Sequence, residues 1–199
     1  MDYQPSQEWL TFDEKDKMRQ KCSLVTFPLK KKDLELINKM IAYVDESYNG
    51  NAPKYNIRPG IGIAANQLGV NKQMFYIHLD DGGVEYRYLL INPEMVAESP
   101  QRAYLGPGEG CLSVATDRDG YVIRSVKIRI KGYDYFQQKE IEIQAKGGLL
   151  AMCLQHEYDH LQGKLYYDRI NPLNPYHVNP DWIKIGRSDR EDKTENTNE

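Results

Sequence analysis

Between residues 31 and 47, Leu34, Ile37, Met40, Ile41 and Val44 recur at helical spacing, which predicts an amphipathic helix ending before Asn49-Gly50. Further along, the period changes to two. Residues 73–79 and 85–91 read as strands, and Asp80-Asp81-Gly82-Gly83 between them reads as a hairpin turn. Asn92-Pro93 is then expected to break the pattern. Residues 121–133 alternate around Val126, Ile128 and Ile130, and residues 140–144 alternate around Ile141 and Ile143, which predicts a second antiparallel pair. Gly147-Gly148 precedes a helix over about 149–162, with Gly163 as its stop. Residues 1–29 are mixed and polar and are assigned no firm structure. Residues 171–180 hold three prolines and are expected to be irregular. Residues 187–199 have almost nothing apolar and are expected to be disordered. The implied class is α+β: antiparallel β-sheets around a central helix, with the N-terminal helix packed outside. One domain is expected over 1–186, with its core at about 31–170.

Composition narrows the function classes. With 199 residues and 40% hydrophobic side chains, the chain can bury a sizeable core. A net charge of −3 gives no broad attraction to nucleic acid or to an anionic membrane, so direct nucleic-acid binding is not expected. No apolar run approaches the ~20 residues that cross a bilayer. Residues 1–20 carry Asp2, Glu8, Asp13, Glu14 and Asp16 and no apolar signal core. Three cysteines, Cys22, Cys111 and Cys153, are too few for a disulfide framework and fit reduced thiols, hence a cytoplasmic setting.

The chemistry concentrates in Gln155-His156-Glu157-Tyr158-Asp159-His160, an H-E-x-x-H motif. Residues four apart on a helix share a face, so His156 and His160 can bind one metal ion, and Glu157 can act as general base on a water there. Two solvated histidines on a surface helix would give the same letters. Leu149, Leu150, Met152, Cys153 and Leu154 in the preceding turns argue instead for a buried helix, where such polar groups need a partner. A catalytic metal commonly takes a third protein ligand. The pattern H-E-x-x-H-x-x-G-x-x-H fails, because Tyr166 stands where its last histidine should be. Cys153 shares a face with His156 but lies seven residues, ~10 Å of rise, before His160. Cys111, in the glycine-rich run Gly106-Pro107-Gly108-Glu109-Gly110-Cys111-Leu112-Ser113, is the other candidate, since glycine lets backbone approach closely. Cys22 is left as a bland thiol, and His78 and His177 as structural or solvated.

Three segments in this order, Gly60-Ile61-Gly62-Ile63-Ala64-Ala65-Asn66-Gln67, Glu109-Gly110-Cys111-Leu112-Ser113 and Gln155-His156-Glu157-Tyr158-Asp159-His160, resemble the signature motifs of the bacterial peptide deformylase family. The resemblance covers roughly 34–170, and the long stretch between the first two motifs looks like the longer bacterial subtype. It implies a hydrolase that removes the formyl group from the initiator formyl-methionine of nascent polypeptides. It also implies one divalent metal ion per chain, Fe²⁺ with Zn²⁺, Ni²⁺ or Co²⁺ as alternatives, held by Cys111, His156 and His160. Glu157 would be the general base and then acid, and Gln67 with the Leu112 N–H would hold the oxyanion. The backbone at Ile61 and Gly62 would lie along the substrate, and Leu149, Met152 and Cys153 would form the methionine pocket. Arg118, seven residues after Cys111, matches a family arginine near the substrate backbone; a surface arginine is the alternative. Asp159 is a candidate to orient a ligand or to pair with Arg124. Ile123 stands where the family often has proline, which counts against that pair. Some members touch the ribosome through a basic C-terminal helix, but Arg187, Arg190 and Lys193 face five acidic residues in this tail, so a ribosome contact is not supported. A general metalloprotease would share the histidines and Glu157 yet leave Gln67 and residues 109–113 unexplained. A binding protein that had lost catalysis would not be expected to keep both Glu157 and Gln67.

Overall fold

The computed structural model describes residues 3–186, so the expected disordered tail at 187–199 lies outside the described residues. The strands are β1 (Gly62–Ala64), β2 (Met74–Asp81), β3 (Val84–Glu98), β4 (Arg102–Leu105), β5 (Arg124–Ser125), β6 (Lys127–Asp134), β7 (Lys139–Lys146) and β8 (Ile183–Ile185). The helices are α1 (Lys31–Tyr48), the single turn α2 (Ala52–Tyr55) and α3 (Gly148–Leu161). A five-stranded antiparallel sheet runs β1-β2-β3-β6-β7, and a three-stranded sheet runs β5-β4-β8. In the latter, β4 and β8 pair in parallel, unlike the antiparallel pairing expected throughout.

Strand β2 explains the architecture. Its residues 74–79, Met-Phe-Tyr-Ile-His-Leu, are all buried, because helices cover both faces. Phe75, Ile77 and Leu79 join Leu150, Ala151 and Leu154 of α3 in one apolar cluster. Met74 and Tyr76 point the other way, into a cluster with Ile37, Met40 and Val44 of α1. The alternation of side chains across a strand thus feeds two cores. The helix α1 is the predicted amphipathic one, packed on the far side of the sheet from α3, but Leu34 of the expected stripe is exposed, while Leu36 and Tyr43 are buried with Ile37, Met40 and Val44.

The β2–β3 turn matches expectation: Asp81 pairs with Val84, and Gly82 and Gly83 have φ of 65° and 86°, which glycine adopts without strain. Asn92-Pro93 does not end the strand. Strand β3 runs through it with a register shift between Ile91 and Glu94, and Asn92 sits at φ 53°. The Asn92 side chain accepts from Val25 N–H at 2.8 Å and donates to Val25 O at 2.9 Å, so the irregularity anchors the N-terminal segment. That segment, assigned no structure above, holds two 3-10 turns, Gln7–Trp9 and Asp16–Arg19, and buries Leu10, Met18, Cys22 and Val25. Cys22 joins the cluster on the α3 side, Leu10 and Val25 the cluster on the α1 side, and the four positions have no common period, so alternation could not reveal them. The predicted strand at 121–133 is divided between β5 and β6, which lie in different sheets. Strand β6 pairs with β7 in register, Ile130 opposite Ile143.

Candidate functional site

Helix α3 is buried along most of its length and presents His156 and Glu157 to a cleft of ≈ 650 Å³, with His160 buried one turn on, beside His156. The Asp81 carboxylate at the end of β2 accepts the Leu150 N–H at 3.0 Å and so caps the start of α3. At the other end Gly163 has φ of 71°, the expected stop. Opposite the helix runs the loop with Glu109, Cys111 and Leu112, and beside it β1 and the 3-10 turn Ala65–Leu68.

Three donor atoms meet here. Cys111 Sγ and His156 Nε2 each lie 3.2 Å from His160 Nε2, and the donors of all three residues fall within 4.8 Å of one another. A tetrahedral ion with bonds of ~2.0–2.3 Å needs its donors roughly 3.3–3.6 Å apart, so the spacing fits a single ion. The chemistry of the donors fits as well. The Glu109 carboxylate meets His156 Nδ1 at 2.9 Å, which holds the proton there and turns the Nε2 lone pair inward. His160 is depressed well below the usual histidine range, by burial and by the neighbouring His156, so it stays neutral and able to ligate.

Behind the ligands lies a buried ionic network. Arg124 is fully buried and donates to Glu109 at 2.6 and 2.8 Å and to Asp159 at 2.9 Å. Arg169 donates to Asp159 at 2.5 and 2.7 Å. The Asp159–Arg124 pair therefore forms although Ile123 replaces the proline. Arg124 reaches Asp159 from β5, whose backbone is fixed independently: the Gln155 amide accepts Ser125 N–H and donates to Ser125 O, both at 2.9 Å. Burial opposes the charge of Glu109, but Arg124 and His156 hold its carboxyl down to about 2. Burial likewise opposes Asp159, yet Arg169 and Arg124 keep it below its ordinary value.

These two depressed carboxyls give a pH prediction. Unfolded, they titrate near 4. Their stabilisation is fully present above that value and is lost as pH falls below it, for Glu109 toward about 2. Urea midpoints of metal-stripped protein between pH 5 and 2 should fall steeply, and less steeply in Glu109→Gln. Parallel curves would show that Glu109 carries none of the effect.

On the other wall, Gln67 is oriented by its own turn. Its Oε1 accepts Ala64 N–H at 2.8 Å, so Nε2 must face the site, where it lies 3.2 Å from Ser113 Oγ and 3.5 Å from Cys111 Sγ. Glu157 is 4% exposed and its Oε2 has no hydrogen-bond partner among the described residues. Burial pushes it up to about 7, the surplus remaining after His156 and Arg124 pull it down. Gly62 leaves room for it: a Cβ there would sit 2.6 Å from Glu157 Oε1.

The polypeptide deformylase model matches residues 7–176. This chain belongs to that family. Its reaction is the metal-dependent removal of the formyl group from N-formylmethionine, and the enzyme is a metallohydrolase of this kind. The chain is 56% identical over 185 residues to the peptide deformylase of Mycoplasma pneumoniae, covering 93% of this chain and 85% of that one. Against the peptide deformylase of Mycoplasma genitalium the identity is 54%, over 93% and 95%. Among solved structures, a peptide deformylase from Legionella pneumophila aligns with a TM-score of 0.63 and 32% identity, over 83% of this chain and 87% of that one. One from Synechococcus elongatus in complex with actinonin gives 0.64 and 29%, over 82% and 79%.

The enzyme brings Cys111, His156 and His160 together, and Glu157, Gln67, Leu112, Ile61, Gly62, Leu149, Met152 and Cys153 line the cleft beside Cys111 and His156. Arg118 does not line it. Its guanidinium lies 5.6 Å over the Tyr167 ring, and its backbone N–H donates to Tyr166 Oη at 2.7 Å. The arginine at the cleft is Arg58, which donates to Val114 O at 2.7 Å and to Asp117 at 2.5 Å. His78 is structural, with its ring nitrogens 2.7 Å from Asp45 and 2.9 Å from Glu85. Sequence reasoning missed the roles of Glu109 and Arg58. For Glu109 a signal existed, an acid two residues before a candidate thiolate ligand; for Arg58 there was none.

Proposed function

We propose that Cys111, His156 and His160 hold one divalent ion, Fe²⁺ in the native enzyme, with Zn²⁺, Ni²⁺ and Co²⁺ accepted by the same donors. The observation that carries this is the convergence of one thiol and two Nε2 atoms within 4.8 Å beside an unpartnered buried carboxylate. When bound, the ion supplies Lewis acidity that acidifies a water and polarises the formyl oxygen. Glu157, poised near neutrality, takes the proton from that water as it adds to the formyl carbon. Gln67 Nε2–H and the Leu112 N–H donate to the oxygen as charge develops on it. Glu157 then delivers the proton to the departing amine nitrogen, so formate leaves and the polypeptide keeps a free amino terminus.

The methionine side chain is assigned to the apolar wall of Leu149, Met152 and Cys153, and its backbone to the edge at Ile61 and Gly62. The site lies within a single catalytic unit over 1–186. The partners are nascent formyl-Met polypeptides in the cytoplasm, and no helix among the described residues is long and apolar enough to cross a membrane. No ribosome contact through the acidic tail is proposed.

Formate release from formyl-Met-Ala by anaerobically purified protein tests this reading. Release from the formylated peptide, with no cleavage of its unformylated counterpart, supports it; cleavage of internal bonds would favour a general metalloprotease. Gln67→Leu removes one oxyanion donor without changing charge and should lower kcat by about 10²–10³ with metal content intact. An unchanged kcat would remove Gln67 from the oxyanion role.

A further inference from the structure

The segment before α1 crosses behind both oxyanion donors. Thr11 N–H donates to Gln67 O at 2.7 Å, and Asp13 N–H donates to Ser113 O at 2.8 Å. Gln67 sits in the 3-10 turn Ala65–Leu68, in which the carbonyls of Ala65 and Asn66 are taken by Val70 and Gly69 N–H. The Gln67 carbonyl is left for a partner from outside the turn, and Thr11 supplies it. Ser113 in turn accepts the Gln67 amide at Oγ. Thr11, Asp13, Ser113 and Gln67 thus close a ring two residues wide on the N-terminal side.

Both ends of this segment are tied down. Upstream, Gln7 Oε1 accepts from Arg58 N–H at 3.1 Å and from Tyr43 Oη at 3.2 Å. Downstream, Tyr167 Oη donates to Asp13 at 3.0 Å, and Arg19 donates to Tyr167 Oη at 2.9 Å. Between them Phe12 packs against the α1 cluster. A strap fixed at both ends and bonded to two site loops constrains their separation.

We propose that residues 11–13 are a positioning element for the oxyanion hole: by gripping the carbonyls of Gln67 and Ser113 on one short segment, they set the distance between the Gln67 amide and the Leu112 N–H. Residues 11–13 are not among those that line the cleft, and they act through Gln67. This rests on the reading of Gln67 as an oxyanion donor given above.

The test is a double-mutant cycle in the full-length metal-loaded enzyme. Thr11→Pro deletes the N–H that reaches Gln67, and Leu10, with ψ 140°, already has the extended backbone that a following proline requires. If Thr11→Pro does not fold, the α-hydroxy analogue of threonine at position 11 replaces the N–H by an ester oxygen and keeps the side chain. The expected result is a loss of about tenfold or more in kcat, with KM and metal content unchanged. In a Gln67→Leu background the same change should cost less than about twofold, because the group it positions is gone. An unaltered kcat, or an equal loss with and without Gln67, overturns the proposal and leaves the strap as packing. Gln67→Leu with full activity on its own would instead overturn the oxyanion reading, and the proposal with it.

Discussion

Glu157→Ala is expected to lower kcat on formyl-methionyl peptides by about 10³–10⁴ while leaving one metal ion per chain. The carboxylate is buried, its Oε2 has no partner among the described residues, and it sits in the space that Gly62 leaves open. It follows His156 directly and makes no hydrogen bond to the ionic network among the described residues. Arg124 takes Glu109 and Asp159, and neither bonds to Glu157. On the proposed mechanism, removing Glu157 deletes the proton carrier and leaves the three metal donors in place. Glu157→Gln should lose as much, since an amide of the same shape cannot accept and return a proton at neutral pH. Steady-state kinetics with metal analysis decides this. A loss confined to KM, or a loss of metal in proportion to activity, would assign Glu157 to binding instead.

Arg124→Leu should destabilise the fold by about 3–5 kcal/mol, since it leaves buried carboxylates without their cation. Asp159 keeps Arg169, so the stranded group is Glu109, which then also releases its hold on His156 Nδ1. Two readouts should move together: the denaturant midpoint and the metal affinity. Adding Glu109→Leu to Arg124→Leu should recover part of the stability, because a paired deletion leaves no orphan charge, but not the affinity. Chemical denaturation with competitive chelation measures both. A single variant within 1 kcal/mol of wild type would show that the network is not a structural keystone.

Much of this was readable beforehand because it was periodic or local. The i, i+4 histidines, the helical stripe of α1 and the Asp80-Asp81-Gly82-Gly83 hairpin are short-range patterns, and each folds as its spacing dictates. What escaped depends on contacts distant in sequence. No spacing relates Glu109 to Arg124 and His156, or Thr11 to Gln67, although each pair is joined directly. Strands β4 and β8, of four and three residues, are too short to alternate legibly. Arg118 shows the converse: its distance in sequence from Cys111 matched a pattern, but the loop between them turns it toward Tyr167 and Arg58 takes the cleft.

The site is expected to be active with one ion held by Cys111, His156 and His160. Metal-stripped enzyme titrated anaerobically with Fe²⁺ should gain formate release linearly and saturate at one ion per chain, while Cys111→Ala neither binds the ion tightly nor gains activity. Activity in the stripped protein, saturation at a different stoichiometry, or full activity in Cys111→Ala would show that the site does not work through one ion on these three residues.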